Sequence, residues 1–206
     1  MYKRKCKITF IAHGATVYTE DFRLCSQENY PPMEKRGIEE IQKICDHIKK
    51  RGVKSDKIYA GPATRIIQSA QMIAKVLKQD FEILPNLNSR IWGNWSGLTI
   101  DNIIKKYGYS YSDDVPSVIA LTPEDGEPLE AYNLRVNDCI REVVDKNIGN
   151  RVIVVTGQNV IQSVVANALG IPIEKQSRIL IRTGSATQIS YFDEWSSLIY
   201  SNYVPL

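Results

Sequence analysis

Residues 151–169 read RVIVVTGQNVIQSVVANAL, and that run decides the fold. Arg151 to Thr156 is short, β-branched and almost continuously apolar, as a strand covered on both faces must be. From Gln158 to Leu169 the period changes. Ile161, Val164, Val165 and Ala168 recur on one helical face, and Gly170 ends the helix. A buried strand feeding an amphipathic helix is part of a βαβ arrangement, which predicts a parallel sheet.

The same alternation extends in both directions. Residues 7–12 (KITFIA) read as a buried strand ending at His13-Gly14. Residues 34–51 read as a helix with Ile38, Ile41, Cys45 and Ile48 on one face, stopped by Gly52. A strand over 57–60, a helix over 64–78 and a strand over 81–84 follow. Thr99 is positioned to cap a short helix after the Trp92–Gly97 loop, and 108–126 reads as an excursion over the sheet. The helix over 128–146 begins with proline in its first turn and turns Tyr132, Val136, Cys139, Ile140 and Val143 inward. Residues 186–192 and 198–203 read as two strands joined by a turn. The expected fold is an α/β three-layer sandwich. Its sheet is mixed but mostly parallel, with helices on both faces and an antiparallel C-terminal edge, in one domain over 1–206.

Composition excludes several classes. The chain has 206 residues, 43% of them hydrophobic, enough for a sizeable core. A net charge of +3 argues against a nucleic-acid partner, and the basic cluster Lys3, Arg4, Lys5 and Lys7 reads as a solvated strand start. Cys6, Cys25, Cys45 and Cys139 form no CxxC pair and no metal spacing, so no metal and no cofactor are expected. Reduced thiols and a cytoplasmic setting follow, since charge followed at once by a short strand-like run is no signal peptide. No apolar stretch approaches the ~20 residues that span a bilayer, so no membrane association is expected.

In parallel sheets ligands gather beyond the carboxyl ends of strands. The loops after Ala12 and Thr156 qualify. His13 is the candidate catalytic residue, although a lone His at a strand end is more often structural. Arg65 falls in the first turn of a helix that follows a strand, a placement suited to an anion. Glu127 can act as an acid–base group or simply satisfy a helix N-terminus. Arg90 offers a pocket charge or a solvated loop cation. Gln158 and Asn159 open a helix beside the pocket and suit a neutral polar ligand, with plain capping as the alternative. Trp92 and Trp95 can line a pocket or pack their loop onto the sheet.

The order of these blocks resembles the histidine phosphatase superfamily, in its phosphoglycerate mutase-like branch. That branch shows Arg-His-Gly-x-Thr, Ser-Pro-x-x-Arg-x-x-x-Thr-Ala, Gly-x-Trp-x-Gly, Gly-Glu-Ser and Ser-His-Gly. Here the corresponding runs are Ala12-His13-Gly14-Ala15-Thr16, Gly61-Pro62-Ala63-Thr64-Arg65 with Ser69-Ala70, Gly93-Asn94-Trp95-Ser96-Gly97, Gly126-Glu127-Pro128 and Thr156-Gly157-Gln158. The resemblance implies that His13 attacks phosphorus, that Thr16 and Arg65 bind substrate, and that an acid protonates the leaving oxygen.

It also exposes departures. Ala12 replaces the first arginine, Gly61 the serine, and Gly157 the late histidine. Ser89 stands where a loop glutamate usually lies. The chain has two histidines, and the second, His47, reads as solvent-facing on another helix. Each lost oxyanion donor typically costs about 10²–10³ in rate, and a lost general acid about 10²–10⁴. The expectation is a degenerate histidine phosphatase acting as a ligand- or partner-binding pseudoenzyme. A residual phosphomonoesterase using His13, or different chemistry in the same pocket, are the alternatives. A small phosphorylated or polar ligand, a protein partner and a homodimer stay open as partners.

Overall fold

The computed structural model describes residues 5–26, 30–109 and 115–206. Lys3, Arg4 and part of the 108–126 excursion lie outside the described residues. In chain order the elements are β1 (Cys6–Ala12), α1 (Val17–Glu20), α2 (Lys35–Arg51), β2 (Lys57–Ala60), α3 (Thr64–Leu77) and β3 (Glu82–Ile83). Then come α4 (Ile100–Tyr107), α5 (Val115–Ala120), α6 (Leu129–Lys146), β4 (Arg151–Thr156), α7 (Gln158–Leu169), β5 (Ala186–Tyr191) and β6 (Ser196–Tyr203).

The strands form one six-stranded sheet in the order β3-β2-β4-β1-β5-β6. β1, β2, β3 and β4 run parallel to one another, whereas β5 pairs antiparallel with β1 and β6 with β5. The mixed α/β fold with an antiparallel C-terminal edge is therefore present.

Strand alternation sorts the core into two layers. Ile8, Phe10, Val152 and Val154 join Tyr132, Val136 and Ile140 of α6 and Val160, Ile161 and Val164 of α7. The intervening Ile11, Ile153 and Val155 join Ile41 and Ile44 of α2 and Ile66 and Ile73 of α3. Burying one such side chain is worth roughly 1.5–3 kcal/mol relative to leaving it exposed. A one-residue slip in β1 or β4 would exchange the two layers, so the register is strongly specified.

Two expectations need correction. Ile38 is 48% exposed and lies off the buried face of α2, which is built from Gly37, Ile41, Ile44, Cys45 and Ile48. The cause is a close backbone approach: a Cβ added at Gly14 would stand 2.2 Å from the Gly37 carbonyl oxygen. Turning Gly37 toward the end of β1 rotates Ile38 outward. The strand expected over 81–84 shrinks to Glu82–Ile83, because Pro85 starts a 3-10 turn over Pro85–Leu87. Trp92 and Trp95 pack with Ile103, Ile104 and Val118, so they anchor the loop to α4 and α5, and Trp92 also lines the cavity that holds His13. Among the described residues no helix is long and apolar enough to cross a membrane.

Candidate active site

β1 and β4 are neighbours, and Ala12 pairs with Thr156 in register, so their following loops open on the same crevice. The His13 backbone is held from both sides. Its N–H donates to the Thr156 carbonyl at 3.0 Å, and its carbonyl accepts from the Gly184 N–H at 3.1 Å. The ring is 3% exposed.

The imidazole contacts fix its tautomer. Nδ1 lies 2.8 Å from the Gly14 carbonyl oxygen, which can only accept, so Nδ1 carries the hydrogen. Nε2 then presents its lone pair, and the Arg65 Nε–H donates to it at 3.0 Å. Burial, and then the Arg65 charge, depress the His13 pKa from 6.5 to about 3. The ring is neutral at physiological pH, as a nitrogen nucleophile must be.

Arg65 enters this contact from the first turn of α3, which starts at Thr64, and is itself 3% exposed. Its Nη2 donates to Ser89 Oγ at 3.1 Å. Ser69, one turn further along α3, donates to the Arg65 carbonyl at 2.8 Å and accepts from the Gly14 N–H at 3.3 Å. That serine ties the nucleophile loop to the arginine helix.

His13 and Arg65 open into a cavity of about 370 Å³ that Thr16, Ser89, Gln158 and Asn159 also line. Thr16 has a local duty as well. It caps α1, accepting from the Thr19 N–H, while the Thr19 hydroxyl accepts from the Thr16 N–H. Gln158 donates from its amide to the Ile181 carbonyl at 2.8 Å. Asn159 Oδ1 accepts from the adjacent Val160 N–H at 3.0 Å, within the first turn of its own helix.

Two expected site residues are placed elsewhere. Arg90 does not line the cavity. It is 1% exposed, donates to the carbonyls of Glu127, Ile119 and Leu121, and stacks 4.7 Å from the Trp92 ring. Three part-buried carbonyls take up that guanidinium. Glu127 also lies off the cavity lining. Its carboxylate takes both prongs of Arg135, at 2.9 and 2.8 Å, and accepts from the Ile91 N–H. That pairing makes it a clamp between the 88–91 loop and α6.

The cavity also contains residues not singled out from sequence: Phe22, Arg23, Leu24 and Cys25. They lie between the first motif and α2, in a stretch without periodic pattern. Arg23 is the second cation of the lining, but it is exposed and pairs with Asp21 at 3.0 Å. No Asp or Glu is among the described lining residues. Among the described residues no cluster of His, Cys, Asp or Glu is suited to a metal ion. His47 is half-buried on α2 against Tyr203, on another part of the sheet.

The departures from the motif face one another. A Cβ placed on Gly157 would lie 2.9 Å from Asn159 Oδ1 and 3.8 Å from Ser89 Oγ. Residues 157 and 89 thus converge on the same side of the cavity, where the resemblance implies an imidazole and a carboxylate.

In this mixed sheet, a buried, neutral histidine at the end of the first strand and an arginine from the helix after the second take the places of the two matching motif residues of a histidine phosphatase. The model of the histidine phosphatase superfamily (branch 1) matches residues 8–202, and the chain belongs to that family. It is 23% identical over 192 residues to adenosylcobalamin/alpha-ribazole phosphatase of Escherichia coli (strain K12), covering 93% of each chain. It is 26% identical over 189 residues to a 2,3-bisphosphoglycerate-dependent phosphoglycerate mutase of Parvibaculum lavamentivorans, covering 86% of this chain and 87% of that one. Among solved structures, Bacillus stearothermophilus YhfR superimposes with a TM-score of 0.86 at 18% identity, covering 97% and 98% of the two chains. The alpha-ribazole phosphatase of Shigella flexneri gives 0.81 at 21% identity, covering 96% of each.

Proposed function

We propose that this chain is a degenerate histidine phosphatase whose cavity binds phosphorylated organic ligands, or serves a protein partner, without efficient turnover. The observation that carries this reading is the makeup of the cavity. Arg65 is the buried cation beside His13, and no carboxylic acid is among the described residues lining it. Ala12, Ser89 and Gly157 stand where the family supplies a cation, an acid and a second imidazole.

Chemistry follows from that makeup. When His13 Nε2 attacks phosphorus, a P–N bond forms and the P–O bond to the leaving group breaks. The departing oxygen must then take its proton from water. An alkoxide, whose conjugate acid is very weak, leaves badly under those conditions; a phenoxide with a strongly withdrawing group needs no acid. The His13 tautomer favours a second reading, a residual phosphomonoesterase. The nucleophile is neutral and holds its hydrogen on Nδ1, which leaves the Nε2 lone pair to attack once the substrate draws the Arg65 donor away from it.

A leaving-group series separates the two. On the pseudoenzyme reading, 4-nitrophenyl phosphate is turned over slowly through His13, and a simple alkyl phosphate such as glycerol 3-phosphate is not turned over measurably. Comparable rates on both substrates would show that an acid acts from outside the described lining and would establish the phosphatase instead.

A further inference from the structure

Beside the His13 cavity lies a larger chamber of about 630 Å³. The two share Thr19, Phe22, Gln158 and Ile181 in their walls, so they adjoin along that side. We propose that the outer chamber seats the organic part of a phosphate ester, and that Arg182 in its wall recognises a second acidic group. This rests on the reading that phosphate sits between His13 and Arg65.

The wall chemistry supports an apolar body. Phe22 is 84% exposed and Leu180 64%, an unusual outlay of large apolar surface at one mouth. Phe22 is also held with φ 55, a backbone region that a bulky residue rarely occupies. The hydrogen bond from Arg23 N–H to the Tyr18 carbonyl at 2.9 Å holds the turn there. The aromatic ring is therefore presented to the cleft by a constrained turn.

Charge supports the acidic end. The chamber walls carry Arg36 and Arg182 as cations, with Glu20 and Glu40. Arg36 is committed to Glu40 at 3.0 Å and to Glu20 at 3.7 Å. Among the described residues no carboxylate pairs with the Arg182 guanidinium. Its backbone is nevertheless fixed relative to the nucleophile. The Arg182 N–H donates to Asn202 Oδ1 at 2.8 Å, and its carbonyl accepts from Ser185 Oγ at 2.7 Å. Gly184, two residues on, donates to the His13 carbonyl. A planar guanidinium carried on this anchored backbone reads a carboxylate or a second phosphate by the same paired hydrogen bonds. The site thus selects a phosphomonoester with an apolar middle and a distal anion.

Calorimetry with two non-hydrolysable ligands tests this: benzylphosphonate, and the same molecule carrying a 2-carboxyethyl group at the para position. The carboxylate ligand is expected to bind the wild type about fivefold more tightly, as an exposed ion pair allows. Arg182→Gln should bring the two ligands to parity while leaving benzylphosphonate unchanged, and Arg65→Ala should weaken both. Equal wild-type affinities, or a preference that survives Arg182→Gln, overturn the proposal for Arg182. Binding indifferent to Arg65→Ala but still Arg182-dependent overturns the phosphate reading and leaves the anion site standing. Binding of neither ligand overturns both.

Discussion

His13 is buried beside the Arg65 cation, and both conditions disfavour its protonated form; the Nδ1 bond to the Gly14 carbonyl works the other way and is outweighed. The sign of the resulting pH dependence is fixed. The unfolded chain takes up a proton near pH 6.5, whereas the folded chain resists until about 3. Between those values the unfolded state holds more protons, so stability rises with pH there and is flat above it, with a slope of up to about 1.4 kcal/mol per pH unit from this group. The melting temperature of wild type should therefore fall more steeply between pH 6.5 and 4.5 than that of His13→Asn; parallel curves would contradict the buried-neutral assignment. That His13, Thr16, Arg65, Gln158 and Asn159 line one cavity was readable because each falls at a strand end or helix start. Arg90 and Glu127 were not placed correctly by that logic. Whether a charged side chain faces a cavity or a set of buried carbonyls depends on the excursion that covers it, which has no periodic signal.

The same excursion supplies a prediction about its own anchoring. Arg90 reaches α5 through the Ile119 and Leu121 carbonyls and reaches the start of α6 through Glu127. Replacing it by methionine keeps much of the volume and strands those acceptors, at about 1–3 kcal/mol for each buried group left unpaired. Arg90→Met should lower the melting temperature and speed amide exchange over residues 118–129, yet leave phosphate affinity unchanged. A selective loss of phosphate affinity in a stable Arg90→Met protein would return Arg90 to the site. The strands and long helices were readable because period two and period 3.6 differ sharply in runs such as 151–156 and 158–169. The buried face of α2 was misjudged at Ile38 because the decisive contact is between backbones, Gly14 against Gly37, and hydrophobic periodicity carries no record of a glycine's close approach.

The molecule as a whole keeps the scaffold of its family, and its departures from the family motifs gather at one end of the sheet. Gly157 has φ −82, a value open to any residue, and the atom nearest a Cβ placed there is Asn159 Oδ1, in a side chain. If missing donors are the chief deficit, Ala12→Arg with Gly157→His should raise 4-nitrophenyl phosphate hydrolysis at least about tenfold, because each such donor is typically worth about 10²–10³. A folded double mutant with no gain would show that Ser89 and the absent acid limit the reaction. Phosphate affinity probes the depleted cavity without any turnover. A hydrogen bond to a charged group contributes about 1.5–3 kcal/mol, and about 1.4 kcal/mol is a factor of ten. Losing the donors at positions 12 and 157 should leave inorganic phosphate held by Arg65 and little else. Calorimetric titration of the wild-type protein with inorganic phosphate should give millimolar or weaker binding that Arg65→Ala abolishes. Micromolar binding would contradict the account and identify a working phosphatase.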